Sequence, residues 1–228
     1  CLVALLRDIS ELFSPIGGAA AMYSVSAIFL ILVMGVPKFS GFSKRYLVVG
    51  TLLFVSYEIC LALSIGMANS RHQAMEMAVI NYLWPTLTIL LSIIIGRKKV
   101  SYWVYPSMII AFLGVAWCIT GDQEMSLDTL VANFADNPAT YLMALTAAFI
   151  WAIYCVVTQK LSNGKNAITL FFTVTAMSLW AQYAFSNEAP LTFSLSSSIT
   201  LLLAGVVVGS GYALWNQAII GGNLMLLG

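Results

Sequence analysis

The chain has 228 residues, of which 61% are hydrophobic and only 8% are charged, with a mean hydropathy of +0.93 and a net charge of +1. About a quarter of the residues of a soluble domain are charged, so this composition excludes a soluble protein and indicates an integral helical membrane protein. The four cysteines lie in apolar runs without paired spacing, which favours packing roles over a metal site or a disulfide.

Seven apolar stretches are long enough to cross a bilayer, which takes roughly 17–25 residues. In chain order they cover residues 17–36, 47–68, 75–95, 102–120, 140–159, 167–185 and 198–220. The end of another apolar run precedes them at Cys1–Leu6, and a further run opens at 223–228. We therefore expect about eight membrane helices and no separate soluble domain.

The basic residues are concentrated in alternate loops. Eight of the ten lie in three of these loops: Lys38, Lys44, Arg45, Arg97, Lys98, Lys99, Lys160 and Lys165. The other loops hold Arg7 and Arg71 together with most of the acidic residues. Since cytoplasmic loops carry an excess of Lys and Arg, we expect the basic loops to be cytoplasmic.

Two spans carry the same residues at the same spacing, and the charge pattern places them in opposite directions. The residues of the first recur 155 positions later in the second: Gly50, Tyr57, Ile65 and Gly66, then Gly205, Tyr212, Ile220 and Gly221. Inverted repeats are a common plan of secondary transporters. We predict a first repeat over 1–137 and a second over 138–228.

The second repeat has fewer spans than the first. We therefore expect the complete protein to continue for roughly two further spans and to begin a helical turn or more earlier. A complete eight-span protein is the alternative.

Glu58 is the one acidic residue that we place well inside a span. A carboxylate in the bilayer is costly and by default faces a cavity or a partner, and no base within the spans is predicted to pair with it. A functional role is therefore favoured over a structural one. Glu76 lies nearer the outer boundary, and we expect it to reach water.

The next span reads NYLWPTLT from Asn81, which places Asn81, Trp84, Thr88 and Ser92 on one helical face. Pro85 frees the carbonyl of Asn81 from its helical hydrogen bond. Two similar stripes occur in the second half: Ala147, Trp151, Tyr154 and Thr158, and Gly205, Gly209, Tyr212 and Asn216. We expect the glycines to permit close helix contact and the aromatic and amide groups to surround a cavity. Plain helix packing, or an interfacial aromatic belt, is the alternative for each residue.

The motifs of common enzymes are missing from the sequence. The only histidine, His72, lies in a predicted outer loop without a partner at catalytic spacing. We predict no catalytic residue, no metal and no cofactor, and therefore no enzyme. An intramembrane enzyme and a purely structural membrane protein are the weaker alternatives.

Five segments resemble the drug/metabolite transporter superfamily: SYEICLALS at 56–64, HQA at 72–74, NYLWPTLTIL at 81–90, FIWAIYC at 149–155 and YALWN at 212–216. Within its EamA-type members, the chain is most similar to the aromatic amino acid exporters, which are also linked to paraquat (methyl viologen) efflux. The resemblance covers essentially the whole chain. It implies an all-α inverted-repeat helical bundle of five plus five helices around a central cavity, in the bacterial inner membrane. It also implies that Tyr57, Tyr82, Trp84 and Trp151 lie at or near the substrate path.

We therefore predict a secondary transporter that exports aromatic amino acids and similar flat aromatic or cationic compounds by alternating access. The predicted substrate-binding residues are Tyr57, Glu58, Asn81, Tyr82, Trp84, Trp151, Tyr154, Tyr212, Trp215 and Asn216. The predicted hinge or kink positions are Gly66, Pro85 and Gly221. The predicted partners are a small-molecule substrate and the lipid bilayer, with no nucleic acid. The alternative is a nucleotide-sugar or other metabolite carrier of the same superfamily, which would need Lys or Arg inside the bundle to hold phosphate.

Overall fold

The structure, a computed structural model, describes residues 2–36, 41–97, 99–120 and 127–224. These residues form ten α-helices and no strand: α1 (Leu2–Leu12), α2 (Pro15–Met34), α3 (Lys44–Gly66), α4 (Arg71–Asn81), α5 (Trp84–Gly96), α6 (Val104–Thr120), α7 (Leu127–Asp136), α8 (Pro138–Leu161), α9 (Ile168–Ala184) and α10 (Leu195–Gly221). The predicted all-α fold is confirmed.

Five segments of the described chain are long and apolar enough to cross a membrane. They are Pro15–Met34, Lys44–Gly66, Arg71–Gly96, Pro138–Leu161 and Leu195–Gly221, and the third of them contains both α4 and α5. The helices α6 and α9 are apolar but shorter. The chain is therefore a multi-pass membrane protein.

The span predicted at 75–95 is broken between α4 and α5. Helix α4 ends at Asn81, Tyr82 and Leu83 form a turn, and α5 starts at Trp84 with Pro85 in its first turn. Proline is tolerated in the first turn of a helix, where its missing N–H is not needed. In a continuous helix its ring would clash with the carbonyl four residues earlier, that of Asn81, so the helix breaks before it. The break turns the segment around Tyr82 away from a regular helical path.

Phe54 of α3 lies at the centre of the bundle, where α3, α8, α9 and α10 meet. Its side chain is fully buried. Its ring centroid is 5.3–6.0 Å from those of Trp151, Tyr154, Phe171, Phe172 and Tyr212. Contacts between aromatic rings at this spacing are favourable in tilted and edge-to-face geometries, so this cluster fixes the helices around one point.

Helix α10 approaches α2 closely at Gly205 and Gly209. A Cβ atom built on Gly205 would lie 2.5 Å from Val25 Cγ1, and one on Gly209 would lie 3.4 Å from Ser26 Cβ. The Ser26 hydroxyl donates a hydrogen bond to the Gly205 carbonyl at 2.7 Å. The prediction that these glycines permit close helix contact is confirmed.

Charged side chains join the helix ends at the predicted outer side. Arg7 Nη1 of α1 donates to the carbonyls of Ile65 at 3.2 Å and Ala68 at 2.7 Å, at the C-terminal end of α3. Arg71 of α4 pairs with Asp8 and Glu11 of α1. These contacts bring α1, α3 and α4 together at one end of the bundle.

Candidate functional site

A cavity of about 300 Å³ lies among α1, α3, α8, α10 and the turn between α4 and α5. This volume is at the lower end of the range for small-molecule sites, roughly 300–1,000 Å³. Seven of the ten predicted binding residues line it: Tyr57, Asn81, Tyr82, Trp84, Trp151, Tyr212 and Trp215. The remaining lining residues are Val3, Leu5, Val207, Val208 and Gly211.

Trp151 of α8 forms the middle of the aromatic wall. Its ring centroid lies 4.4 Å from that of Tyr57, 5.3 Å from that of Tyr212 and 6.4 Å from that of Trp84. Trp84 also meets Trp215 edge-on at 5.1 Å. Rings from α3, α5, α8 and α10 therefore converge on one space, and flat apolar ligands can pack against them.

Three polar atoms on the cavity residues are buried without a hydrogen-bond partner among the described residues. They are Asn81 Oδ1, the Tyr212 hydroxyl and Trp215 Nε1. Because buried polar groups are nearly always hydrogen-bonded, these atoms are available to a ligand or water in the cavity. The amide oxygen can accept, the indole can donate, and the hydroxyl can do both.

The broken span explains how Asn81, Tyr82 and Trp84 can lie on the same cavity. In a continuous helix, residues one and two positions apart point in different directions. Here Asn81 ends α4, Tyr82 lies in the turn and Trp84 begins α5. The break thus presents to one space three residues that a regular helix would spread around its axis.

Tyr154, Asn216 and Glu58 do not line the cavity. The Tyr154 hydroxyl donates to Asn216 Oδ1 at 2.6 Å, and Asn216 Nδ2 donates to Asn166 Oδ1. Asn166 Oδ1 also accepts from the backbone N–H of Ile168 at the start of α9, at 3.0 Å. Tyr154 and Asn216 thus join α8, α9 and α10 behind the aromatic wall.

Glu58 is fully buried and accepts a hydrogen bond from the Tyr23 hydroxyl of α2. The sequence predicts no charged partner for Glu58, and the partner is instead a neutral tyrosine. Tyr23 was overlooked among the small residues of α2, although a tyrosine deep inside an apolar span is itself a signal for a polar contact.

The aliphatic part of the lining was also overlooked in the sequence. Val207, Val208 and Gly211 lie on α10 at the helical spacing that continues to Tyr212 and Trp215. Helical periodicity extended backwards from Trp215 would have found them.

The expectation that Glu76 reaches water is wrong. The residue is 2% exposed, and it accepts hydrogen bonds from the Tyr141 hydroxyl and, at 3.0 Å, from Asn133 Nδ2. His72 Nε2 lies 3.3 Å from Glu76 Oε1. Asn133 belongs to α7, a helix in the region predicted to be a loop, and α7 together with α8 covers the carboxylate.

The three predicted hinge positions have different surroundings. Gly66 ends α3 in close contact with α2, since a Cβ there would lie 3.0 Å from Pro15 Cβ. Pro85 lies directly after the break in the third span. Gly221 ends α10, and a Cβ there would have no described neighbour within 4 Å.

Two curated relatives of the chain are exporters, and a solved structure shares its fold. No family model matches the chain. The aromatic amino acid exporter YddG of Salmonella typhimurium is 43% identical over 226 residues, covering 99% of this chain and 77% of the relative. The YddG exporter of Escherichia coli is 43% identical with the same coverage. A crystal structure of a protein 17% identical in sequence superposes with a TM-score of 0.72 over 99% of this chain and 80% of its own, which shows the shared fold.

Proposed function

The chain belongs to the family of YddG aromatic amino acid exporters, and from this premise we propose that it exports aromatic amino acids and similar flat aromatic or cationic compounds. The path runs across the bacterial inner membrane, and the mechanism is alternating access. Its relatives are named as exporters, which implies transport of a small molecule across a lipid bilayer and assigns no chemical step to the chain.

The aromatic cavity is the observation that carries this proposal. An aromatic amino acid combines a flat ring with an ammonium and a carboxylate group. Trp84, Trp151 and Tyr57 offer ring faces and edges for the flat part. The unpartnered Trp215 Nε1 and Tyr212 hydroxyl are donors for the carboxylate, and Asn81 Oδ1 is an acceptor for the ammonium.

The packing of the helices is consistent with two inverted repeats. The sequence register pairs α1 with the end of α8, α2 with α9, and α3 with α10. In the structure α2 contacts α9, its own counterpart. The α2–α10 contact corresponds to the α3–α9 contact, and the α3–α8 contact corresponds to the α1–α10 contact. Exchange of the repeats maps each of these named contacts onto itself or onto another of them, which supports rocking of one repeat against the other.

The rival nucleotide-sugar carrier needs cationic groups for phosphate. The described residues that line the aromatic cavity include no Lys or Arg. An adjacent cavity of about 400 Å³ is lined by Arg7 and Arg71, but both guanidinium groups are engaged by Glu11, and Arg71 also by Asp8. A phosphate group would therefore have to compete with carboxylates already in place.

We place the Lys/Arg-rich loops in the cytoplasm, following the distribution of basic residues. On this orientation Asn163, in the loop between α8 and α9, is cytoplasmic, and Ser186, in the loop between α9 and α10, is outside. A membrane-impermeant thiol reagent added to intact cells should label Ser186→Cys and leave Asn163→Cys unlabelled. The reverse pattern would invert the assignment.

Counterflow tests the proposed substrate class. Proteoliposomes loaded with unlabelled phenylalanine should transiently accumulate radiolabelled phenylalanine, and unlabelled nucleotide sugar in its place should not support accumulation. The Trp84→Ala variant should lose most of this signal because it removes a wall of the cavity. Trp117→Ala is the matched control, since Trp117 is 76% exposed on α6 and is not among the residues that line the cavity. Accumulation driven by nucleotide sugar, and not by phenylalanine, would refute the proposal.

A further inference from the structure

Glu58 is a buried acid without a counter-ion among the described residues. Its side chain is fully buried, Oε2 accepts the hydrogen bond of Tyr23, and Oε1 has no hydrogen-bond partner among those residues. An ionised carboxylate in such a place is costly, because the side chain does not reach bulk solvent and no cation among the described residues pairs with it. Glu58 is therefore stable here as the neutral acid, and a purely structural role leaves Oε1 unexplained.

The groups around Glu58 are tyrosines on four different helices. Tyr23 comes from α2, Tyr57 from α3, Tyr154 from α8 and Tyr212 from α10. Helix α9 contributes the non-titratable Phe172, whose ring lies 5.6 Å from that of Tyr23 and 5.5 Å from that of Tyr212.

The charged groups of α1 and α4 are occupied elsewhere. Arg7 holds the carbonyl of Ile65, seven residues after Glu58 and therefore about 10 Å further along the helix. Arg71 pairs with Asp8 and Glu11, and Glu76 of α4 is bound by Tyr141 and Asn133. A negative charge formed on Glu58 would find no nearby cation in the described part of the chain.

Tyr212 belongs both to the wall of the aromatic cavity and to the surroundings of Glu58. It lines the cavity, and its hydroxyl neighbours both Glu58 and Tyr57. That hydroxyl makes no hydrogen bond to any described residue in this conformation. The Tyr212 hydroxyl is therefore near both the buried acid and the space that a substrate would occupy.

We propose that Glu58 is the proton-exchange group of this transporter and that the Tyr212 hydroxyl passes the proton between Glu58 and the cavity; the proposal rests on the proposed function. On release, the O–H bond of the Glu58 carboxyl breaks and its proton bonds to the Tyr212 oxygen. The proton of Tyr212 leaves to water in the cavity. The resulting carboxylate keeps the hydrogen bond from Tyr23, and uptake of a proton reverses each step.

Substrate and proton then compete for the same region. The carboxylate form of Glu58 attracts the ammonium group of a bound amino acid, and the neutral form does not. By linkage, binding of the amino acid favours release of the proton to the same extent that the proton weakens binding of the amino acid. Because one carboxyl is involved, we expect one proton to enter for each amino acid that leaves.

Proton flux measured with the full chain in proteoliposomes tests this proposal. The vesicles contain phenylalanine and a pH-sensitive dye, and the ratio of protons entering to phenylalanine leaving is measured after dilution. We expect a ratio of one for the wild type and less than a tenth of that for Glu58→Gln. The half-saturating phenylalanine concentration should rise as the pH is lowered in the wild type and stay constant in Glu58→Gln.

Glu76→Gln is the matched control, because Glu76 is also an acid buried in a span and is engaged by its own partners. It should keep a ratio of one. Tyr212→Phe retains the ring and should lower the ratio as Glu58→Gln does, which provides a second test if the Glu58 variant fails to fold. Net phenylalanine efflux without proton entry in the wild type would overturn the proposal and leave export intact. No phenylalanine counterflow at all would overturn export itself.

Discussion

Trp151 contacts the aromatic rings of three other residues that line the cavity, Tyr57, Trp84 and Tyr212, more than any other lining residue does. It packs against Tyr57 at 4.4 Å and stacks on Tyr154 at 4.8 Å, with interplanar angles of 33° and 23°. Tyr154 is in turn held by Asn216, which is held by Asn166. The orientation of the indole is therefore set from behind by a chain of hydrogen bonds, which prepares the cavity for a flat ligand.

Replacement of Trp151 by alanine should raise the half-saturating phenylalanine concentration at least about tenfold, which corresponds to about 1.4 kcal/mol of binding free energy. The physical reason is the loss of a ring face that packs against the substrate. Trp151→Phe should recover most of the affinity, because it restores an aromatic surface. Concentration-dependent counterflow measures both values, and equal affinity of wild type and Trp151→Ala would contradict the assignment.

Glu11 lies outside the predicted spans and joins α1 to α4. Hydrogen bonds from Arg71 and then Arg7 lower the pKa of Glu11 below its usual 4.5. The pair therefore stabilises the fold at pH values above the pKa of the unfolded chain, and this contribution is lost as the pH falls through the lowered folded value. Since Glu11 is largely exposed, the contribution is at most about 1 kcal/mol.

We expect the thermal midpoint of the wild type in detergent to fall slightly as the pH is lowered from 6 towards 4, and the fall to be smaller in Glu11→Gln, which cannot ionise. Raising the salt concentration at pH 6 should reduce the difference between the two proteins. Parallel pH profiles for the two proteins would contradict a role for this pair.

At the scale of elements, the contact between α2 and α10 depends on Gly205. Gly205→Ala would place a methyl group within 2.6 Å of Val25 Cβ and force the helices apart. We expect it to lower the free energy of unfolding by about 1–3 kcal/mol, the usual cost of overpacking. Gly114→Ala is the control, because a Cβ on Gly114 has no described neighbour within 4 Å. Thermal unfolding in detergent measures both, and an unchanged midpoint for Gly205→Ala would contradict close packing.

The break between α4 and α5 is the second feature at this scale. Pro85→Ala removes the obstacle to a continuous helix, so the turn at Tyr82 should straighten and Trp84 should leave the cavity wall. We expect slower phenylalanine counterflow in Pro85→Ala. Pro138→Ala at the start of α8 is the control, because proline is favourable in a first turn that follows an irregular segment. Equal rates for the two variants would argue against a functional break.

The sequence predicted the elements better than their interruptions. Apolar length located the spans, and helical spacing identified the aromatic stripes that meet at Trp151. From Pro85 the sequence predicts the loss of one helical hydrogen bond, to the carbonyl of Asn81. Helix propensity alone does not show that Tyr82 and Leu83 both leave the helix and form a turn. The sequence predicts a loop where the structure has α7, and without this helix the sequence could not predict the cover over Glu76.

Partners from distant segments were the least predictable part of the site. Tyr23 reaches Glu58 across 35 residues, and Asn133 reaches Glu76 across 57. Nothing in the local pattern of either acid indicates these contacts, because they arise only when separate helices pack. The same limit applies to Asn216, which was expected in the cavity and instead supports Tyr154.

At the scale of the whole molecule, the two helix ends related by the proposed repeat are held by different chemistry. The end of α3 is held by Arg7, which is itself paired with Glu11. The end of α10 is held by Gln159, whose Nε2 donates to the Gly222 carbonyl at 2.9 Å. The two helix ends should therefore respond differently to salt, because salt screens the charged contact and leaves the neutral one unaffected.

The central claim is that an aromatic amino acid occupies the cavity between α3, α8, α10 and the broken span. Protection of a cysteine by substrate tests it most directly. Val207 lines the cavity, whereas its neighbour Val206 does not, so Val207→Cys and Val206→Cys form a matched pair in a protein whose own cysteines are replaced by alanine. Phenylalanine should slow the reaction of Val207→Cys with a small thiol reagent in a saturable manner and leave Val206→Cys unaffected. Equal rates with and without phenylalanine at both positions would contradict the account.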